Sequence, residues 1–391
     1  MKRLSILLAI LSLSISWQTG TNSALGARET SPTVEFALQS TLAQSASGGW
    51  IIVDFPAYRG AFTSIAVGSN DLIHISHINE GNLMYTRQLR VGDDIWWATY
   101  TVITATDLED TSLTLDENDR PYIAYYDATA QNLGWAWSPA DGTWYTGTRN
   151  TAGIIDGSHP SAVVRGGILH VAYLNLTTYN VEYIEIIPGG GWPPTPQVVG
   201  GSPSFETDVS LALRSDGLPR ITYSTTSGEL VYARYTGSAW TLEVIDGDIE
   251  HRMGECNSLA LNADNRARIA YFDATNRDLR HISYGLIGWG VPAIVDDSLG
   301  GICYTSLALD GTGSSHILYY DGNVPGSLRY AQRQNSSWSI ETVDGPAPSC
   351  GMHSALALDS LGHPHASYYC GHLKYAYRAF TVYLPAVMRG Q

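Results

Sequence analysis

One four-residue pattern returns along the chain at almost constant spacing. It reads Thr63-Ser64-Ile65-Ala66, Thr111-Ser112-Leu113-Thr114, Pro160-Ser161-Ala162-Val163, Val209-Ser210-Leu211-Ala212, Asn257-Ser258-Leu259-Ala260, Thr305-Ser306-Leu307-Ala308 and His353-Ser354-Ala355-Leu356. The serines are 48, 49, 49, 48, 48 and 48 residues apart. Intervals that hold within one residue over six repetitions define seven copies of one structural unit.

Each unit holds four short strand-like runs. In the fifth they are Ser258–Leu261, Arg268–Phe272, Leu279–Tyr284 and Trp289–Val295. Turn sequences such as Asn262-Ala263-Asp264-Asn265, or Asp216-Gly217 in the fourth unit, separate the first two runs as hairpins do. The first run carries small residues on one face, as a crowded inner strand requires. The third run carries Tyr85, Trp135, Tyr183, Tyr232, His281, Tyr330 or Tyr375. The fourth opens on Trp96, Trp144, Trp192, Trp240, Trp289 or Trp338. Four antiparallel strands in units of this length predict a seven-bladed β-propeller, all-β. The seventh unit lacks a Trp-led fourth run, and the missing piece stands at the other end: Trp50-Ile51-Ile52-Val53-Asp54 matches Trp240–Asp246. An N-terminal strand that completes the last blade would close the ring and remove sheet edges. The expected organisation is an export signal over 1–27, a linker over 28–47, the propeller over 48–378 and a tail over 379–391.

The repeats resemble those of secreted bacterial β-propeller proteins with Ser-Leu-Ala-Leu-Asp…His-Ile-Ala-Tyr-Tyr-Asp units. Ser306–Asp310 with Tyr319-Tyr320-Asp321, and Ser112–Asp116 with Pro121–Asp127, carry the likeness most clearly, and it extends over 49–378. The tail Val382–Arg389 resembles the Tyr-Leu-Pro-Leu-Val-Met-Arg endings of exported proteins of filamentous green bacteria. The resemblance implies a sialidase- or lectin-type propeller outside the cytoplasm. It implies no single activity, because propellers host binding modules and enzymes alike.

The N-terminus agrees with export. Lys2 and Arg3 precede an apolar run, Leu4–Ile15, and small residues near Ala24–Ala27 offer a cleavage site. No later segment reaches membrane-spanning length. The four cysteines, Cys256, Cys303, Cys350 and Cys370, form no C-x-x-C pair, and an even count in an exported chain favours disulfides. Cys350 leads into the seventh inner strand and Cys370 ends its hairpin partner, so these two meet; Cys256 and Cys303 are then left to pair across neighbouring blades. A Cys303–Cys350 bridge is the rival arrangement.

The formal charge of −15 excludes nucleic acid and anionic membrane surfaces as natural partners. Lysine chemistry is nearly absent, with Lys2 and Lys374 the two lysines beside 20 arginines. His74, His170, His316 and His365 recur at one place in the unit and read as scaffold; His77 and His281 replace core aromatics. The loops after the second strands and those leading into the first strands share one face. They bring together Asp127, Asp273, Asp321, Tyr126, Tyr320, His159, His251, Arg252 and His353 as candidate ligand-binding residues, within an acidic rim that also holds Asp107, Glu109, Asp110, Asp208 and Glu255. That rim could hold Ca²⁺; no other cofactor is implied.

No Asp-box of the form Ser-x-Asp-x-Gly-x-x-Trp is present, and no Gly-x-Ser-x-Gly elbow. The expectation is a secreted, monomeric, non-enzymatic protein that binds a neutral glycan or an extracellular protein surface. Tyr and Trp rings suit the apolar faces of sugars while carboxylates take hydroxyls. The competing class is a carbohydrate-active enzyme: a glycosidase with a carboxylate pair, or a polysaccharide lyase with a His or Tyr base.

Overall fold

A computed structural model describes residues 28–30, 34–38, 43–45 and 49–378, apart from Asp141, 150–152, 191–194, 205–207, Ile249, Ser298 and 302–303. The expected export signal and tail, Trp192 and Cys303 therefore lie outside the described residues. The rest form seven antiparallel sheets, one per repeat, arranged as a ring: a seven-bladed β-propeller with four strands per blade. The inner strands are Ala61–Val67, Leu108–Leu115, Asp156–Arg165, Ser210–Leu213, Met253–Leu261, Ser306–Leu309 and Met352–Leu358, and that of blade seven lies beside that of blade one. Among the described residues there is no helix.

The ring closes as the displaced N-terminal strand requires. Trp50–Phe55 pairs with Leu373–Arg378 as the outer strand of blade seven, in the register Trp50↔Arg378 through Phe55↔Leu373. The segment expected to be a linker differs from that expectation. Arg28–Thr30, Val34–Leu38 and Ala43–Ser45 each add a fifth strand, to blades two, one and seven in turn. Their backbone satisfies exposed outer edges, which needs no hydrophobic alternation and so leaves no periodic signal.

The anchor serines lace neighbouring blades together. Each hydroxyl accepts the backbone N–H one residue past the next anchor: Leu113 to Ser64, Ala162 to Ser112, Leu211 to Ser161, Leu259 to Ser210, Leu307 to Ser258 and Leu356 to Ser306, all at 2.9–3.0 Å. The last bond shows that the seventh anchor position is Ala355, not Ser354, since Leu356 plays the part of Leu307. Ser354 instead occupies the preceding position and donates to the Tyr304 carbonyl at 3.0 Å. Glycines four residues before the anchors confirm the alignment. Gly254 and Gly351 take φ of +85° and +110°, and a Cβ on either would run into Leu230 or Leu328 of the preceding blade.

Away from the axis, an aromatic pair joins each described pair of neighbours. A Trp on the outer strand, or in blade five just before it, packs edge-on against the third strand of the preceding blade: Trp50–Tyr330, Trp97–Tyr375, Trp144–Tyr85, Trp240–Tyr183, Trp289–Tyr232 and Trp338–His281, with centroids 5.0–5.6 Å apart. In blade one this residue is Trp97, one place on from the Trp96 that the spacing suggests. The repeat histidines sit on the second strand and bond the tyrosine hydroxyls: His74–Tyr85, His170–Tyr183, His316–Tyr330 and His365–Tyr375. They are scaffold, as their recurrence implies.

Cys350 and Cys370 are bridged across the seventh hairpin. Cys256 is disulfide-bonded as well, while Cys303 lies outside the described residues.

Two outcomes test the lacing. Ser258→Ala should cost about 1–3 kcal/mol in urea unfolding, because the buried Leu307 N–H loses its acceptor. Ala355→Ser should supply the hydroxyl absent from the seventh position and raise stability by roughly 0.5–1.5 kcal/mol; a destabilised variant would contradict the assigned alignment.

Candidate functional site

A cavity of about 300 Å³ takes its walls from all seven blades and so lies on the axis of the ring. Its mouth is built by the residue two places before each anchor: Phe62, Asp110, His159, Asp208, Cys256, Tyr304 and His353. For six of these, all but Asp208, φ is positive, between 43° and 51°. In blades one, two, three, five and seven the pairing with the second strand slips at this point, as between Tyr125 and Tyr126 opposite Asp110. A bulge of this kind takes the residue out of the ladder and re-aims its side chain. Here six of the seven side chains line the axial cavity; Cys256 is committed to its disulfide.

The strained backbone is held from outside. Side chains just before the next anchor donate to the carbonyls of these residues: Thr111 to Phe62 and Thr63 to His353 at 2.7 Å, Asn257 to Asp208 at 2.6 Å and Ser354 to Tyr304 at 3.0 Å.

The mouth has two chemically distinct arcs. On blades two to four, His159 Nδ1 lies 3.7 Å from Asp110 Oδ2 and 3.6 Å from Asp208 Oδ1, and the His159 backbone N–H donates to Asp110. Burial alone would push the His159 imidazole down; Asp110 and Asp208 outweigh it and hold the ring protonated, with its pKa up at about 9. Burial raises the Asp110 carboxyl, and His159 offsets part of that shift. On blades six, seven and one the ring of His353 lies 4.7 Å from that of Tyr304 and 4.4 Å from that of Phe62. Burial drives the His353 pKa down to about 4, so this ring is neutral at pH 7, and burial lifts the Tyr304 hydroxyl to about 12. A carboxylate arc therefore faces an aromatic arc across a pocket of small-ligand size.

Of the residues expected at the site, His159 and His353 line this pocket. Tyr320 backs it, with its ring 6.4 Å from that of Tyr304, and Tyr126 is buried beside Glu109 and Asp110. Asp127, Asp273 and Asp321 do not converge on it. Asp127 caps its own turn by accepting the Ala130 N–H. Asp273 is wholly buried, accepting the Thr275 and Asn276 N–H groups and pairing with Arg280 at 2.6 Å. Asp321 accepts the Gly300 and Asn323 N–H groups and pairs with Arg329 at 3.0 Å. The loop-capping role of aspartate accounts for all three. His251 and Arg252 stand apart: His251 bonds Asp248, Arg252 pairs with Glu255, and Arg252 borders a separate cavity of about 270 Å³ with Thr225, Thr226 and Met253. Among the described residues the one grouping of three metal-ligand types is Asp344 with Cys350 and Cys370, whose sulfurs are spent on their bridge. Asp110 and Asp208, expected on the acidic rim, line the pocket as well, and so do Phe62 and Tyr304, which the sequence reading does not single out; their common place two before the anchor is the available signal.

No protein-family model and no curated protein sequence matches the chain. Solved structures do match in fold. The lectin of Aleuria aurantia, in complex with Fucα1-6GlcNAc, is 14% identical, covers 75% of this chain and 99% of its own, and superposes with a TM-score of 0.52. AofleA of Arthrobotrys oligospora is 15% identical over 80% and 90%, with a TM-score of 0.51. Virginiamycin B lyase of Staphylococcus aureus is 9% identical over 88% and 99%, with a TM-score of 0.53. At these identities the likeness is one of β-propeller fold.

The His159 pair carries a pH signature. A pKa raised from 6.5 to about 9 contributes stability that is complete below pH 6.5 and lost as pH rises through 9. The melting temperature should therefore fall between pH 7 and pH 10, and fall less in His159→Gln; identical slopes would show that the pair is not formed.

Proposed function

We propose that the protein is a carbohydrate-binding propeller that takes a neutral sugar residue at the axial mouth. The observation that carries this reading is the facing of the two arcs. Asp110 and Asp208 accept sugar hydroxyls, and His159, held between them, donates. Phe62, Tyr304 and His353 offer ring surface to the apolar face of a pyranose. The lectin fold likeness supports the same class of ligand. Export, drawn from the basic and then apolar N-terminus, agrees with the disulfide at Cys350–Cys370 and with a glycan met outside the cytoplasm.

The chemistry of the mouth favours binding over turnover. A general base works best with a pKa near the working pH. His353, at about 4, is too weak a base to take the proton a lyase must remove. His159, at about 9, is already protonated and releases its proton reluctantly. Asp110 and Asp208 both lie against the His159 imidazolium, at 3.7 and 3.6 Å, in one ion-paired cluster on the pocket wall.

A glycan array probed with the purified protein should show retention of neutral glycans without chain cleavage. Asp208→Asn and Tyr304→Ala should each weaken binding at least tenfold in protein that stays folded at the assay temperature. Release of shortened saccharides, or retention untouched by both substitutions, would overturn the reading; retention of a protein ligand in place of any glycan would move the site to a different partner class.

A further inference from the structure

Two cavities between blades open toward the face opposite the axial mouth. One lies between blades one and two, measures about 660 Å³, and is lined by Arg87, Arg90 and Arg120 with Tyr85, Trp144 and one acid, Asp119, which accepts from the Ser69 N–H and hydroxyl. The other lies between blades four and five, measures about 260 Å³, and is lined by Arg214, Arg220, Arg234 and Arg266 with Tyr232 and one acid, Asp264. Seven of the chain's 20 arginines thus gather in two places on a protein of net charge −15.

The two cavities are built at equivalent positions. Arg87 and Arg234 each lie two residues beyond the third-strand tyrosine that meets the next blade's tryptophan. Arg120 and Arg266 each stand two residues before the second-strand position that opposes the residue two past the anchor, Tyr122 opposite Thr114 and Arg268 opposite Ala260. At the other five interfaces this pair of positions holds Trp137 with Ile168, Glu185 with Leu218, Ser283 with Ser314, Gln332 with His363, and Tyr377 with Leu72. The fold therefore does not demand arginine there. Where an arginine pair occurs, a cavity occurs with it.

Four of these arginines each meet one nearby acid. Arg120 lies 4.0 Å from Asp116, Arg214 3.2 Å from Asp216, Arg234 3.6 Å from Glu243 and Arg266 3.7 Å from Asp264. Each guanidinium has five donors, and one carboxylate contact leaves several for a further acceptor. Nε of Arg214 and of Arg234 is buried and meets no acceptor among the described residues. Arg220 gives Nη1 to the carbonyls of Pro219 and Tyr235. Four guanidiniums around about 260 Å³ repel one another, and an anion between them relieves that repulsion.

We propose that these two inter-blade cavities are oxyanion-binding sites, each taking a carboxylate or a sulfate group through the fork geometry of its arginines. The sites are separate from the axial mouth and do not depend on what binds there.

Isothermal titration of the intact protein with inorganic sulfate, with D-glucuronate and with glucose tests the assignment. Sulfate, glucuronate or both should bind at two sites per chain and weaken at least tenfold between 50 mM and 500 mM NaCl, while glucose gives no salt-dependent binding here. The sulfate and glucuronate arms distinguish a tetrahedral from a planar anion. Arg120→Gln should leave one site, and Arg120→Gln with Arg266→Gln none. Arg90→Gln, at an exposed position, should weaken the larger site alone, which keeps the test valid should the double variant unfold. No binding of either anion, or two sites surviving in a folded double variant, would overturn the proposal.

Discussion

The ring depends on a hydrogen bond that leaves the blade. Within each sheet the inner strand has a partner on one side; on its other side its N–H groups face the channel and the next blade. The anchor serine answers one of these groups, one blade along, six times round. Each such bond contributes about 1 kcal/mol net, and leaving the N–H buried without it costs more than the bond yields. That asymmetry explains why a serine so small and so near the axis recurs every 48 or 49 residues. At the seventh position the hydroxyl is absent, and the seam between blades seven and one is held in other ways. Thr63 donates to the His353 carbonyl, Ser360 donates to Asp71, and Trp97 packs against Tyr375.

The same lacing makes the site. A non-glycine residue with positive φ costs on the order of 1 kcal/mol, and the mouth holds six of them. For Phe62, Tyr304 and His353 a side chain of the following blade holds the strained residue by donating to its carbonyl. In return, one position per blade is freed from ladder pairing and aimed at the axis. Its side chain has no packing duty toward its own sheet, so it can be Phe, Asp, His, Cys or Tyr without disturbing the repeat. Seven such positions, varied independently, allow an acidic arc and an aromatic arc to face each other across one pocket.

The repeat length, the blade count and the donated N-terminal strand were legible in the sequence because each rests on spacing or on a strand-length match. The scaffold role of His316 was legible because the position recurs. Two positions differ by one residue from the spacing: Ser354 for Ala355, because the seventh anchor has lost its serine and a serine stands beside it, and Trp96 for Trp97, because two tryptophans are adjacent. The edge strands before residue 46 were illegible, since three to five residues of backbone pairing need no pattern. His159 and His353 line the axial pocket, while Asp127, Asp273 and Asp321 are spent on turns and, for the last two, on Arg280 and Arg329. What sets Asp110 apart is a bulge, a backbone event that residue types do not announce, while Asp208 reaches the mouth from the equivalent place without a positive φ or a slip in its ladder.

Variation against a fixed repeat also locates the second kind of feature. Positions that the blade contact demands stay aromatic or hydrogen-bonding throughout: the tyrosine on the third strand, the tryptophan that meets it, the histidine, tyrosine or arginine on the second strand. The places where Arg87 and Arg234 stand carry Trp, Glu, Ser, Gln and Tyr elsewhere, so packing alone sets no residue type there. Guanidinium groups brought within one small cavity cost electrostatic energy that a neutral side chain would avoid. A chain with 37 acids and 22 bases has acids enough to disperse its arginines as single surface pairs. Their concentration at two equivalent clefts, and at neither the mouth nor the other five interfaces, is a departure from the repeat that stability does not require.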